Sequence, residues 1–123
     1  MPYSYIYSIC LFFLLASCSD RANEELSGTW QATAVVQNGQ PLDVKLSEIT
    51  LTFDGDQRYE YNSTLDYKEA GFYKLHGDRL ETQDTLQQPP VAKIVIVETL
   101  QSDSLKLKMK NETDWIYLTL LKK

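Results

Sequence analysis

Strict alternation of apolar and polar residues runs through much of the chain. In Leu105-Lys106-Leu107-Lys108-Met109-Lys110 the two kinds take turns, so Leu105, Leu107 and Met109 share one face of a strand and the lysines face water. The same period of two puts Trp30, Ala32, Ala34 and Val36 on one side of a first strand and Ile49, Leu51 and Phe53 on one side of a second. Tyr59 and Tyr61 follow on a third, and Ile116, Leu118 and Leu120 on the last. The runs predict strands over residues 29–37, 48–54, 58–64, 70–75, 79–84, 91–100, 104–110 and 114–121. Helical periodicity is absent beyond a turn around residues 41–47.

Turn chemistry separates these runs: Asn38-Gly39, Asp54-Gly55-Asp56, His76-Gly77-Asp78, Gln101-Ser102-Asp103 and Asn111-Glu112. Most links are short enough for hairpins, and Pro89-Pro90, which cannot join a ladder, marks one longer loop over residues 85–90. The expectation is an all-β domain of about eight strands in an antiparallel up-and-down meander. One apolar face forces such a meander to curl, and closing it removes the exposed edges, so a barrel or half-open barrel is favoured over a sandwich.

Ahead of this domain, residues 6–16 are apolar, about half of the roughly 20 needed to cross a bilayer as a helix. That length suits a secretory h-region. Small residues at Ala16 and Ser17 precede a cysteine, and Leu15-Ala16-Ser17-Cys18 resembles the lipobox of bacterial lipoproteins. The resemblance implies a lipoprotein signal peptide over residues 1–17, removed after a diacylglycerol is linked to Cys18, with acylation (such as palmitate) of the new amino terminus. Residues 1–17 carry no Lys or Arg, a departure from the positive opening of most signals. Several acyl chains together hold a protein stably on a membrane. The short polar stretch that follows makes residues 18–25 a lipidated tether, leaving 26–123 as the folded domain.

Every Asp, Glu, Lys and Arg lies outside the signal, so the mature chain keeps 12 basic against 17 acidic residues. An acidic surface without a basic cluster argues against nucleic acid and against anionic headgroups as partners. Of the two cysteines, Cys10 leaves with the signal and Cys18 carries lipid, so the domain has no disulfide and must stand on its hydrophobic core.

Leu26-Ser27-Gly28-Thr29-Trp30 opens the first strand, and Gly71, Tyr73, Leu75, Gly77, Asp78 and Leu80 form a downstream G-x-Y-x-L-x-G-D-x-L pattern. Together they resemble the lipocalin-like domains of small bacterial lipoproteins, over nearly the whole domain. The resemblance implies a barrel in which Trp30 plugs the closed end and Gly28 lets the chain approach it. The chain is much shorter than a full lipocalin and lacks room for the long C-terminal helix, a departure that tells against a large ligand cavity.

Catalytic and metal chemistry find no foothold. His76, the only histidine, has no cysteine partner, and Asp54-Gly55-Asp56 lacks the later ligands of a calcium loop. Neither a nucleophile elbow nor a phosphate loop is present, so no enzyme and no cofactor is expected. Asn62-Ser63-Thr64 and Asn111-Glu112-Thr113 match the glycosylation sequon, which a bacterial lipoprotein would not normally use. Of eight tyrosines, five lie in or beside the expected strands. With Phe53, the residues Tyr59, Tyr61 and Tyr73 could line a pocket that offers an apolar wall with polar handles; the competing reading is plain packing.

The sequence thus points to a non-enzymatic, lipid-anchored, lipocalin-like protein of a Gram-negative cell envelope, the outer membrane being favoured over the inner. It would hold a small apolar or amphipathic ligand at the open end. The alternative is a protein-binding module, such as a periplasmic inhibitor or envelope assembly factor, acting through the 85–90 loop or the tether on a partner the sequence does not name.

Overall fold

A computed structural model describes residues 21–123. The expected signal peptide and Cys18 lie outside the described residues. The elements in chain order are β1 (Gly28–Gln37), β2 (Gln40–Pro41), a 3-10 turn (Leu46–Glu48), β3 (Thr50–Phe53), β4 (Arg58–Asn62), β5 (Lys68–His76), β6 (Arg79–Asp84), β7 (Val91–Leu100), β8 (Ser104–Asn111) and β9 (Asp114–Lys122).

Each of the eight expected runs contains a strand, and β2 is a short addition. All neighbours pair antiparallel, and β1 also pairs with β9, so the sheet closes on itself as an eight-stranded barrel. Closure rather than a half-open form follows from the length of β1. Its first residues, Gly28–Gln31, pair with β3, while Trp30–Gln37 run along β9, so one strand seals the seam. Asn38 and Gly39, both at positive φ, turn the chain into β2, where Gln40 faces Gln37. Proline then ends β2 after two residues.

The inner face follows the alternation on most strands. Leu51, Phe53, Tyr59, Leu105, Leu107, Leu118 and Leu120 are all buried. Each large apolar side chain taken out of water contributes about 1.5–3 kcal/mol, and the described residues, which contain no cysteine, rest on this burial.

On β1 the alternation misplaces two residues. The register against β9 shifts between Ala32 and Ala34, a bulge at Thr33. One extra residue inverts the facing of all that follow, so Val35 packs against the core in place of Ala34 and Val36.

Residues 21–25, read as part of the tether, carry local structure. Residues 21–26 are helical, and Leu26 is fully buried. The helix lies at the end of the barrel where β1 begins and β9 finishes: Lys122 Nζ donates to the Glu25 carbonyl at 2.9 Å. Polar composition concealed this because the packing comes from Leu26 and from backbone groups, not from an apolar stripe.

Candidate ligand-binding site

Trp30 closes one end of the barrel. It has no exposed surface, its indole N–H donates to the Leu26 carbonyl at 2.8 Å, and Lys122 Nζ sits 5.0 Å above its ring. Gly28 adopts φ +129°, and a Cβ there would lie 3.3 Å from Lys122 Cε, so glycine admits the lysine that caps the tryptophan. Below the middle of the barrel Phe53 meets Tyr73 edge to face at 4.9 Å, and the Tyr73 hydroxyl donates to the Asp54 carbonyl at 3.0 Å.

Above that layer the interior opens into a cavity of about 80 Å³. Its apolar walls are Leu51, Phe53, Leu80, Val95, Leu107 and Leu118, and Tyr61 and Met109 stand higher along their strands. Of the four residues expected to line a pocket, Phe53, Tyr59 and Tyr61 do so. Tyr73 is on the correct face but too near the closed end, and its ring is spent on core packing.

Charged residues inside the barrel went unread in the sequence. Glu69, on β5, is buried and accepts from the Tyr59 hydroxyl (3.2 Å), the Tyr67 hydroxyl (2.7 Å) and Lys93 Nζ (2.8 Å). Lys93 reaches in from β7 opposite Thr82, and both line the cavity. Its side chain is 46% exposed against 9% for Glu69, so Lys93 marks where the cavity meets solvent. Asp84, also buried, accepts from the Ala70 and Leu86 backbone N–H groups and from Gln87 Nε2, which anchors the loop after β6.

These contacts shift the titration of the groups involved. Burial, followed by the charge of Glu69, raises the Tyr59 hydroxyl far above its usual range, and burial with the Glu69 hydrogen bond raises Tyr67. Burial raises Tyr73 as well. For Lys93, burial pulls the ammonium down, but the hydrogen bond and charge of Glu69, with Tyr67 beside it, more than offset that and leave it raised.

In each case the folded state holds its proton more tightly than the unfolded chain. The stability from these four groups is therefore complete below their unfolded pKa values of about 10 and is lost as pH rises through the folded ones. The melting midpoint is expected to hold from pH 7 to 9 and fall above pH 10. Ultraviolet titration should show a tyrosine fraction that ionises only as the barrel opens; a single midpoint near 10 for every tyrosine would contradict this.

The other polar motifs are structural. Asp54 Oδ1 accepts from the Asp56 and Arg58 backbone N–H groups, a side-chain-capped turn between β3 and β4. His76 ends β5 with its ring largely exposed, 3.8 Å from Glu81. Among the described residues no group of three or more His, Cys, Asp or Glu side chains is placed to hold a metal ion.

One plugged end and a small cavity beneath the other define a compact, closed antiparallel barrel. The family model of the lipocalin-like domain matches residues 26–114, and the chain belongs to that family. A lipocalin-like protein from Bacteroides uniformis, known from its crystal structure, shares the fold at a TM-score of 0.59 and 17% identity, over 80% of this chain and 99% of that one. No curated protein matches the sequence.

Proposed function

We propose that the protein is a lipid-anchored, non-enzymatic binding barrel of a bacterial cell envelope that holds a small apolar or amphipathic molecule. The observation that carries this reading is the cavity of about 80 Å³, walled by aliphatic side chains and edged by Tyr59, Glu69 and Lys93, in a barrel plugged at the other end. Sites of this kind combine apolar walls with a few polar groups that orient the ligand. The size restricts the guest to something small.

Native mass spectrometry of the chain, purified without refolding, tests it. A retained small molecule that leaves on gentle activation is the expected result, and a clean unliganded mass across several growth conditions speaks against it.

Anchoring rests on the lipobox resemblance. Cys18 would attach lipid three residues before the helix at residues 21–26, which itself lies at the plugged end. Cys18→Ala is expected to abolish lipidation and processing; a variant that still partitions into membranes and loses residues 1–17 would refute the anchor.

The protein-binding reading draws support from the rim. Leu65 is 96% exposed at φ +60° in the turn before β5, and Leu86 is 56% exposed in the loop after β6, both at the open end. Apolar side chains held in such positions suit contact with another protein.

A further inference from the structure

The walls and edge of the cavity differ in what they offer a guest. Below, Leu51, Phe53, Leu80, Leu107 and Leu118 provide only apolar surface. A cavity of about 80 Å³ is far below the roughly 300–1,000 Å³ of pockets for drug-sized ligands, which suits a short aliphatic chain and not a long one. Entry of such a chain leaves its polar end at the level of Glu69 and Lys93.

Hydrogen-bond accounting at that level is asymmetric. Glu69 already receives three donors, from Tyr59, Tyr67 and Lys93. Asp84 is held by two backbone N–H groups and by Gln87. Each carboxylate thus has three of its roughly four acceptor positions filled. Lys93 has three N–H donors, and Glu69 and the adjacent Tyr67 hydroxyl engage at most two. At least one remains for a guest, on a half-exposed ammonium that already borders the cavity.

An ammonium-headed guest would have to share Glu69 with the like charge of Lys93, already 2.8 Å from it. A hydroxyl head would gain only a neutral-acceptor bond, whereas an anionic head gains a charge-assisted one.

Resting on the ligand-binding reading above, we propose that Lys93 determines specificity, so that the cavity takes a short-chain carboxylate with its tail among the leucines and its carboxylate on Lys93 Nζ. Glu69 acts as a positioning residue: with the two tyrosine hydroxyls fixed on it, it holds the lysine over the cavity.

The test is a set of nearly isosteric probes, butanoate, 1-butanol and butylamine, titrated into the full chain at pH 7 and followed by NMR shifts of the cavity methyl groups. Butanoate is expected to bind at least about tenfold more tightly than the other two, and Lys93→Met should erase that preference. Because Lys93→Met alone leaves Glu69 buried without its cation, the Lys93→Met/Glu69→Gln double variant is measured beside it; it should keep the fold and bind butanol at least as well as butanoate.

Equal binding of all three probes, or a carboxylate preference that survives the double variant, overturns the assignment to Lys93 while leaving a ligand-binding barrel in place. Absence of binding by every probe overturns both.

Discussion

Gly71→Ala is expected to lower the melting midpoint by more than about 10 °C or to prevent folding outright. A Cβ at this position would overlap the Gln83 carbonyl oxygen and lie 3.0 Å from both the Gln83 carbonyl carbon and the Thr85 nitrogen. All three are backbone atoms, fixed by the pairing of Gly71 with Asp84 and by the Thr85 N–H donating to the Ala70 carbonyl at 2.9 Å. No side chain can rotate away, so β5 and β6 must separate at this point. Overpacking of this kind costs about 3 kcal/mol or more, and each kcal/mol moves the midpoint of a domain this size by about 4–8 °C. Gly55→Ala is the control, because a methyl group added there, in the turn between β3 and β4, would meet nothing within 4 Å. A Gly71→Ala midpoint within about 2 °C of the parent would mean that the two strands are not in this register.

Trp30→Ala should cost about 3–5 kcal/mol, the range for removing a large aromatic from a packed core. Three contributions are lost together: the volume of the indole in the core, the donor to the Leu26 carbonyl, and the surface on which Lys122 rests. Trp30→Phe separates these effects, since it restores much of the volume but not the N–H; its cost should be smaller, with about 1–3 kcal/mol for leaving the buried carbonyl unpaired. Urea unfolding of both variants checks the order. An unchanged midpoint for Trp30→Ala would mean that this end of the barrel is not closed by the indole.

Strand positions were legible because alternation and turn chemistry agree. Asn38-Gly39 and Gly77-Asp78 form two-residue hairpins, where Gln37 faces Gln40 and His76 faces Arg79. Ala34 and Val36 failed because a bulge adds a residue without a compositional mark, and Thr33 is as ordinary a strand residue as its neighbours. The site was half legible. Phe53, Tyr59 and Tyr61 stood out as aromatics at the correct phase, but Glu69 fell one residue before the expected strand at 70–75, and Lys93 looked like a solvent-facing charge in an apolar run.

The signal was nevertheless present. Counting back by twos from Tyr73 through Gly71 reaches Glu69, and from Val97 through Val95 reaches Lys93, so strict alternation puts both charges inside. Opposite charges at inward positions of β5 and β7, with only β6 between them, would then have suggested a pair. Tyr73 shows what periodicity leaves out: it assigns a face, but height along the barrel axis depends on tilt and register.

The central claim is that the space between Tyr59, Leu107 and Leu118 receives a ligand. The most direct measurement is the methyl NMR spectrum of the chain, assigned residue by residue, as butanoate, 1-butanol and butylamine are added in turn. The account predicts saturable shifts at Leu51, Leu80, Val95, Leu107 and Leu118, with Leu65 and Leu86 on the rim unmoved. Shifts confined to the rim, or none anywhere at saturating concentration, would contradict it and leave a solid barrel whose loops do the binding.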